Sequence, residues 1–461
     1  MTTVASEDAI TTRDPANGKA IARHPLHTPE EIERRLALAQ SAFAEWSTRA
    51  LEPRLHLVHT LGAYFRTNKE ALAHNITREM GKTIGEAEAE IEKCARACDY
   101  YADHAPMQLA PQNVETNAKR SYVAYRPLGP VLAVMPWNFP FFQVVRFAVP
   151  AIAAGNVAVL KHASNVTGCG ATLENAFREA GFPSGVFTTL VIRASRVEDV
   201  IADSRIAAVT VTGSEPAGSA VAAAAGRHLK KSVLELGGSD AFIVLRDADV
   251  QAAAKTAVRA RFQNCGQSCI AAKRFIVEAP AYEAFCDAFA KRVSEIRVGD
   301  PMDRATTMGP LARHDLVDEL ERQVEQSRAS GARVLHGGAR IPGPGAFYQP
   351  TLLADVTTSM PVFSEETFGP AAAILPARDA DEAVALANAS RFGLGNNVWS
   401  ADVERAERIA GRLQSGLVFI NDMTASDPRL PFGGVKKSGY GRELAQFGLR
   451  EFTNVQTVWI G

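Results

Sequence analysis

The chain has 461 residues, 46% of them hydrophobic, with 50 Lys+Arg against 51 Asp+Glu and a net charge of −1. That length suits two or three domains of ordinary size, and so even a charge balance gives no broad field to attract nucleic acid or anionic lipid. Six cysteines without paired spacing form no disulfide framework and point to a reducing, cytoplasmic compartment.

Residues 1–14 mix Glu7, Asp8, Arg13 and Asp14 with small polar residues and lack the basic-then-apolar run of a secretion signal. Thr28-Pro29-Glu30-Glu31 reads as an N-cap, a first-turn proline and a capping-box glutamate. Ile32, Leu36, Ala39 and Phe43 then share one helical face. Further helical patterns cover 53–66 and 69–101, the second rich in charge. The uncharged stretch 127–145 approaches bilayer length, but Pro127, Pro130, Pro136 and Pro140 forbid an unbroken spanning helix; a soluble protein is expected.

From Ser121 the pattern changes. Apolar runs at 131–135, 157–160, 207–211, 232–236 and 241–244 alternate with helical stretches at 168–180 and 217–225. A second set follows, with runs at 274–277, 372–375 and 416–421 and helical stretches at 282–293 and 379–389. Such alternation predicts an α/β protein of two units with parallel strands and right-handed crossovers, divided near Gly237-Gly238.

Four short segments carry side chains suited to chemistry. Cys269 ends Asn264-Cys265-Gly266-Gln267-Ser268-Cys269, a small, glycine-containing run that leaves a sulfur approachable if its thiolate is favoured. Taken singly it is equally a small buried hydrophobe. Glu235 ends an apolar strand, where burial raises a carboxyl pKa toward general-base use; a plain ion pair with Lys or Arg is the alternative. Asn138 sits between Pro136 and Pro140, a rigid place for an amide to donate to an oxyanion or to serve as a turn residue. Val211-Thr212-Gly213-Ser214-Glu215-Pro216-Ala217-Gly218 joins a strand to a helix and offers backbone N–H groups to a phosphate, without matching the usual glycine fingerprints. No metal-ligand spacing occurs: there is no HExxH and no CxxC, and Cys94 and Cys98, one helical turn apart, are expected to pack.

Together these segments resemble the aldehyde dehydrogenase superfamily over essentially the whole chain. The matching blocks are Pro136-Trp137-Asn138-Phe139-Pro140, Ala154-Gly155-Asn156 through Leu160-Lys161, Thr212-Gly213-Ser214, Leu234-Glu235-Leu236-Gly237-Gly238, Gly266-Gln267-Ser268-Cys269, Glu365-Glu366-Thr367-Phe368-Gly369-Pro370 and Pro431-Phe432-Gly433-Gly434. Leu160-Lys161-His162-Ala163-Ser164-Asn165 and the run 432–443 look most like the shorter, NAD(P)-using bacterial succinate-semialdehyde dehydrogenases.

The resemblance implies a Rossmann-like cofactor domain (1–108 and 126–236), an α/β catalytic domain (237–435) and a small β arm (109–125 and 451–461) that builds a homodimer or homotetramer. It makes Cys269 the nucleophile, Asn138 the oxyanion donor and Glu235 the base that activates water. Trp137, Lys161, Ser164, Gly213, Ser214, Gly218, Leu236, Glu366 and Phe368 fall at NAD(P)-binding positions. Strictly NAD-using relatives often place glutamate where this chain has Ser164, which leaves room for a 2′-phosphate; NADP is expected to be accepted, even preferred. Arg146, eight residues after Asn138, and Ser426, five before Pro431, match residues that hold a remote substrate carboxylate, whereas Gln263 replaces a second arginine used by some relatives, a role open to Arg261 or Arg429. Arg146 suits a structural ion pair equally well. The expected reaction is oxidation of succinate semialdehyde to succinate. The alternatives are broader aliphatic or aromatic aldehyde oxidation, transfer of the acyl group to CoA (which a water-activating Glu235 argues against), and a silent binding protein on the same fold. Cys265, four residues before Cys269, poses either a redox switch or simple packing.

Overall fold

The run at 131–135 forms strand Pro130–Met135, in which Val131, Leu132 and Ala133 are buried. A strand with no solvent face belongs inside a parallel sheet covered by helices on both sides. The computed structural model describes residues 8–461, so the part of the amino-terminal expectation on residues 1–7 lies outside the described residues. In the first sheet the parallel order is Lys231–Glu235, Ala208–Thr212, Pro130–Met135, Val157–His162 and Phe187–Thr189, with Gly439–Tyr440 antiparallel on the outer edge of Lys231–Glu235. Chain order reverses between Pro130–Met135 and Ala208–Thr212, which opens a crevice at the carboxyl ends of those strands, the place where doubly wound folds bind ligands.

The second sheet has seven strands. Its parallel centre is Thr351–Ala354, Ala371–Ala377, Ala272–Glu278, Asp240–Val244, Gly395–Trp399 and Leu417–Ile420, with Arg333–His336 antiparallel at one edge. Each sheet has its own apolar core: one gathers side chains from Ile32 to Leu236 plus Leu449 and Phe452, the other from Ala241 to Leu413. Full burial of a Phe such as Phe275 stabilises the fold by roughly 1.5–3 kcal/mol. The third sheet pairs Thr453–Ile460 with Arg120–Pro127 along eight antiparallel positions and adds Gln112–Asn113. Strand Arg120–Pro127 runs through the boundary expected at 125–126, and residues 436–450, left outside the expected domains, supply Gly439–Tyr440 and helix Ala445–Glu451 against the first core.

Thr28 caps helix Pro29–Trp46 by accepting from the Glu31 N–H, but the reciprocal half of the expected box is missing because the Glu31 carboxylate binds Arg34 and Arg35. The complete capping box is Thr83 with Glu86, at the start of Ile84–Gln108. The single helical pattern expected over 69–101 is two helices, Lys69–Met80 and Ile84–Gln108, separated by Gly81 at φ +90°, where a left-handed residue ends the first. Stretch 127–145 is the end of one strand, the whole of Pro130–Met135, a turn and the start of helix Phe142–Ala153. No described helix is long and apolar enough to cross a membrane.

Candidate active site

Cys269 lies in the loop between helix Val250–Phe262 and strand Ala272–Glu278. Its course is unusual. Asn264, Cys265 and Gly266 have φ of 58°, 54° and 70°, and the left-handed region costs a non-glycine residue roughly 1–2 kcal/mol. Glycine is required at Gly266, where a Cβ would meet the Gly369 carbonyl oxygen at 2.3 Å. Hydrogen bonds hold the turn. The Asn264 N–H donates to Glu86 Oε1 at 2.6 Å, and Asn264 Nδ2 donates to the carbonyls of Asn138 (2.8 Å) and Gln267 (3.0 Å). Beyond it, Lys273 Nζ donates to the carbonyls of Ser268 (3.0 Å) and Cys269 (2.9 Å).

This turn brings the Cys269 and Asn138 loops together, although the two residues belong to different sheets' connections. Asn138 Nδ2 donates to the Gln267 carbonyl at 3.2 Å, and its Oδ1 is buried without a partner. An amide nitrogen carries two protons, so one donor remains for a substrate oxygen. Two cavities meet here. One of about 730 Å³ is lined by Asn138, Trp137, Lys161, Gly213, Ser214 and Cys269, among others. The other, of about 470 Å³, is lined by Cys269 together with Arg146, Ser426, Lys93, Gln263 and Phe432. Cys269 and Gln143 are on the walls of both.

Burial pushes the Cys269 thiol up to about 12, with Arg146 and Lys273 acting in the opposite direction. Glu235 is buried and lines neither cavity; its two oxygens lack partners, and a Cβ on Gly433 would lie 2.7 Å from one of them. Burial first, and the neighbouring Glu443 second, raise its pKa well above the carboxylate range, against the pull of Arg146. Arg146 is the centre of this group: it is ion-paired with Glu443 and stacks 4.4 Å above the Phe432 ring. It therefore both forms a structural ion pair and lines the smaller cavity. Arg261 and Arg429 do not reach that cavity. Arg261 is fully buried and donates to the carbonyls of Thr367 and Gly369, and Arg429 is forked onto Asp427.

The larger cavity occupies the crevice at the strand reversal. Helix Glu215–Arg227 begins on it, and Ser214 at its N-cap makes no side-chain capping bond, so first-turn N–H groups remain available to a phosphate. A Cβ on Gly213 would have nothing closer than 3.9 Å, whereas one on Gly218 would press into Leu236 at 2.4 Å. Gly213 therefore keeps the wall open, and Gly218 lets the helix pack. Lys161, 8% exposed, lines the wall without a described ion-pair partner. Ser164 is exposed and stands next to Ala163, which lines the cavity. Glu366 accepts from the Gly238 N–H at 2.9 Å and lies 3.8 Å from Lys273 Nζ, and Phe368 meets Trp137 edge-on at 5.7 Å. These groups fit a dinucleotide: donors at a helix start, a cation nearby and an aromatic floor.

Sequence reasoning missed several residues on or behind the cavity walls. Arg313 sits 5.4 Å from the Trp137 ring, Lys273 braces the Cys269 loop, Glu443 neutralises Arg146, and Lys93 donates to Ser426. Only Glu86 had a readable signal, the Thr83-Ile84-Gly85-Glu86 capping box. Cys265 is buried in the second core and, like the other described cysteines, is free; Cys94, Cys98, Cys169 and Cys286 are also buried.

The comparisons with known proteins agree with this architecture. The Aldehyde dehydrogenase family profile matches residues 2–458. The chain is 50% identical over 446 residues to Succinate semialdehyde dehydrogenase (NAD(P)+) Sad of Escherichia coli K12, covering 97% of this chain and 96% of that one. It is 47% identical to Succinate-semialdehyde dehydrogenase (NADP(+)) 1 of Mycobacterium tuberculosis H37Rv, over 98% of this chain and 99% of that one. A crystal structure of succinic semialdehyde dehydrogenase from Streptococcus pyogenes in complex with NADP+ superposes with a TM-score of 0.96 at 37% identity, covering 98% of this chain and all of that one. On fold, motifs and full-length similarity alike, the chain belongs to the aldehyde dehydrogenase family.

Proposed function

We propose that the protein oxidises succinate semialdehyde to succinate, with NADP or NAD as acceptor. The meeting of the two cavities at Cys269 carries this reading, because the aldehyde carbon must face the sulfur on one side and the acceptor on the other. The names of the relatives support the choice of substrate and cofactor.

Cys269 is the nucleophile. Its sulfur gives up its proton to water and bonds as thiolate to the carbonyl carbon, and the resulting oxyanion accepts a hydrogen bond from the free Nδ2–H of Asn138. A dinucleotide in the larger cavity would supply the hydride acceptor: as the oxyanion re-forms its C=O bond, the carbon gives up its hydride and a thioester remains on the Cys269 sulfur. Glu235 then takes a proton from water, the hydroxide attacks the thioester carbon, and the thiolate of Cys269 departs. A carboxyl whose proton affinity is raised by burial suits that acceptor role. Lys161, Trp137, Gly213, Ser214 and Leu236 would hold the adenosine and pyrophosphate half, with Gly218 seating the helix whose first turn faces it; Glu366 and Phe368 would face the nicotinamide half, and Ser164 would leave space for a 2′-phosphate. Arg146 and Ser426 lie where the remote carboxylate is received.

The first-sheet region carries the cofactor and the second the nucleophile. The third sheet serves as an oligomerisation arm for a homodimer or homotetramer: Thr453–Ile460 is an edge strand that exposes Val455, Trp459 and Ile460. The described cysteines are all free, which suits the cytoplasm. The test is a profile of kcat/KM over succinate semialdehyde, aliphatic and aromatic aldehydes with both cofactors, with and without CoA. Succinate semialdehyde as the best substrate at a rate independent of CoA supports the assignment; a flat profile or CoA dependence contradicts it.

A further inference from the structure

The cavity that receives the aldehyde contains a cation that the family motifs did not reveal. Lys93 projects from helix Ile84–Gln108 and lines this cavity with Ser426 and Cys269. Its ammonium donates to Ser426 Oγ and lies 4.1 Å from the centre of the Phe142 ring. Among the described residues no carboxylate forms an ion pair with it, in contrast to Arg146, whose charge Glu443 compensates. The neighbouring carboxylates are engaged elsewhere. Glu90 binds Lys82 and the N–H groups of Phe141 and Phe142, and Glu86 binds the Asn264 N–H. Gln263, where some relatives would carry a second arginine, is uncharged and lines the same cavity.

We propose that Lys93, seated on Ser426, is the specificity-determining cation that binds the remote carboxylate of an ω-carboxylated aldehyde. The proposal rests on the succinate-semialdehyde reading and names the residue that provides it. An ammonium has three donors; Ser426 takes one, leaving two for a carboxylate. Phe142 shields one side of the pair from water, and an ion pair strengthens as the local dielectric falls. The Arg146–Glu443 pair adds no net charge, and of the other three cations on this wall, Lys93, Arg96 and Arg259, Lys93 is the one that donates to Ser426.

The electrostatics of Lys93 are consistent with this. Burial and the nearby Arg146 and Arg96 bring its pKa down to about 8, against Cys94 and Glu90; Arg259 and, from the Ser426 loop, Asp422 also line the cavity. The charged form binds the carboxylate, so selectivity is full below that value and is lost as pH rises through it.

The experiment compares succinate semialdehyde with butanal, the uncharged aldehyde of equal carbon count, in the wild-type enzyme and in Lys93→Met. In the variant, KM for succinate semialdehyde should rise about 30-fold or more, while kcat and the butanal constants move less than about threefold. A second readout needs no variant: in wild type the ratio of kcat/KM for the two aldehydes should fall about tenfold per pH unit above pH 8, where Lys93 loses its proton. If wild type prefers succinate semialdehyde but Lys93→Met and the pH series leave that preference intact, the Lys93 assignment is wrong and the substrate reading survives. If wild type shows no preference for succinate semialdehyde, both fail.

Discussion

Arg146 and Glu443 form an ion pair whose side chains are 2% and 4% exposed, and Glu443 is also the largest charged contributor to the raised pKa of Glu235. Removing one partner leaves a buried charge uncompensated, which costs about 3–5 kcal/mol, whereas replacing both by apolar residues of similar volume is far milder. Glu443→Gln should therefore lower the urea midpoint strongly, and Arg146→Met with Glu443→Leu should recover most of the loss. With the negative neighbour gone, the Glu235 carboxylate is less disfavoured and its pKa falls. The limb of the hydrolytic pH–rate profile that reports this base should move to lower pH in Glu443→Gln.

The Cys269 thiol, raised to about 12 by burial, is protonated at neutral pH in the absence of ligands. Alkylation requires the thiolate. Iodoacetamide inactivation of the enzyme without cofactor should accelerate about tenfold per pH unit between roughly pH 7 and 10, with no plateau near the ordinary cysteine range. A plateau below pH 9 would show that Arg146 and Lys273 outweigh the burial.

Ser164 is exposed beside Ala163, which lines the larger cavity, and stands three residues beyond Lys161. Ser164→Glu introduces a carboxylate there. It should reduce kcat/KM for NADP by about tenfold or more through charge repulsion and leave NAD unaffected or improved. Equal effects on both cofactors would separate Ser164 from the 2′-phosphate.

Much of this site was legible because its chemistry sits in contiguous segments. The parallel strands announced themselves as apolar runs, and Cys269, Asn138 and Glu235 stood at a loop, a proline-framed turn and a strand end. What escaped the sequence is pairing across distance. Lys93 and Ser426 are 333 positions apart, and on its own helix Lys93 reads as one charge among many on a solvated face. Glu443 closes the glycine-rich run 432–443, but nothing local couples it to Arg146. The helix break at Gly81 was also hidden, since a single left-handed residue interrupts an otherwise continuous helical pattern. Short edge strands such as Arg333–His336 owe their form to the neighbouring strand and not to their own periodicity.

The most direct test of the account is NADPH formation from succinate semialdehyde by the purified enzyme and by Cys269→Ala, with NADP binding measured in parallel. The wild-type protein should form NADPH with succinate semialdehyde in preference to butanal, while Cys269→Ala binds NADP normally and forms none. Undiminished turnover by Cys269→Ala would contradict covalent catalysis at this sulfur.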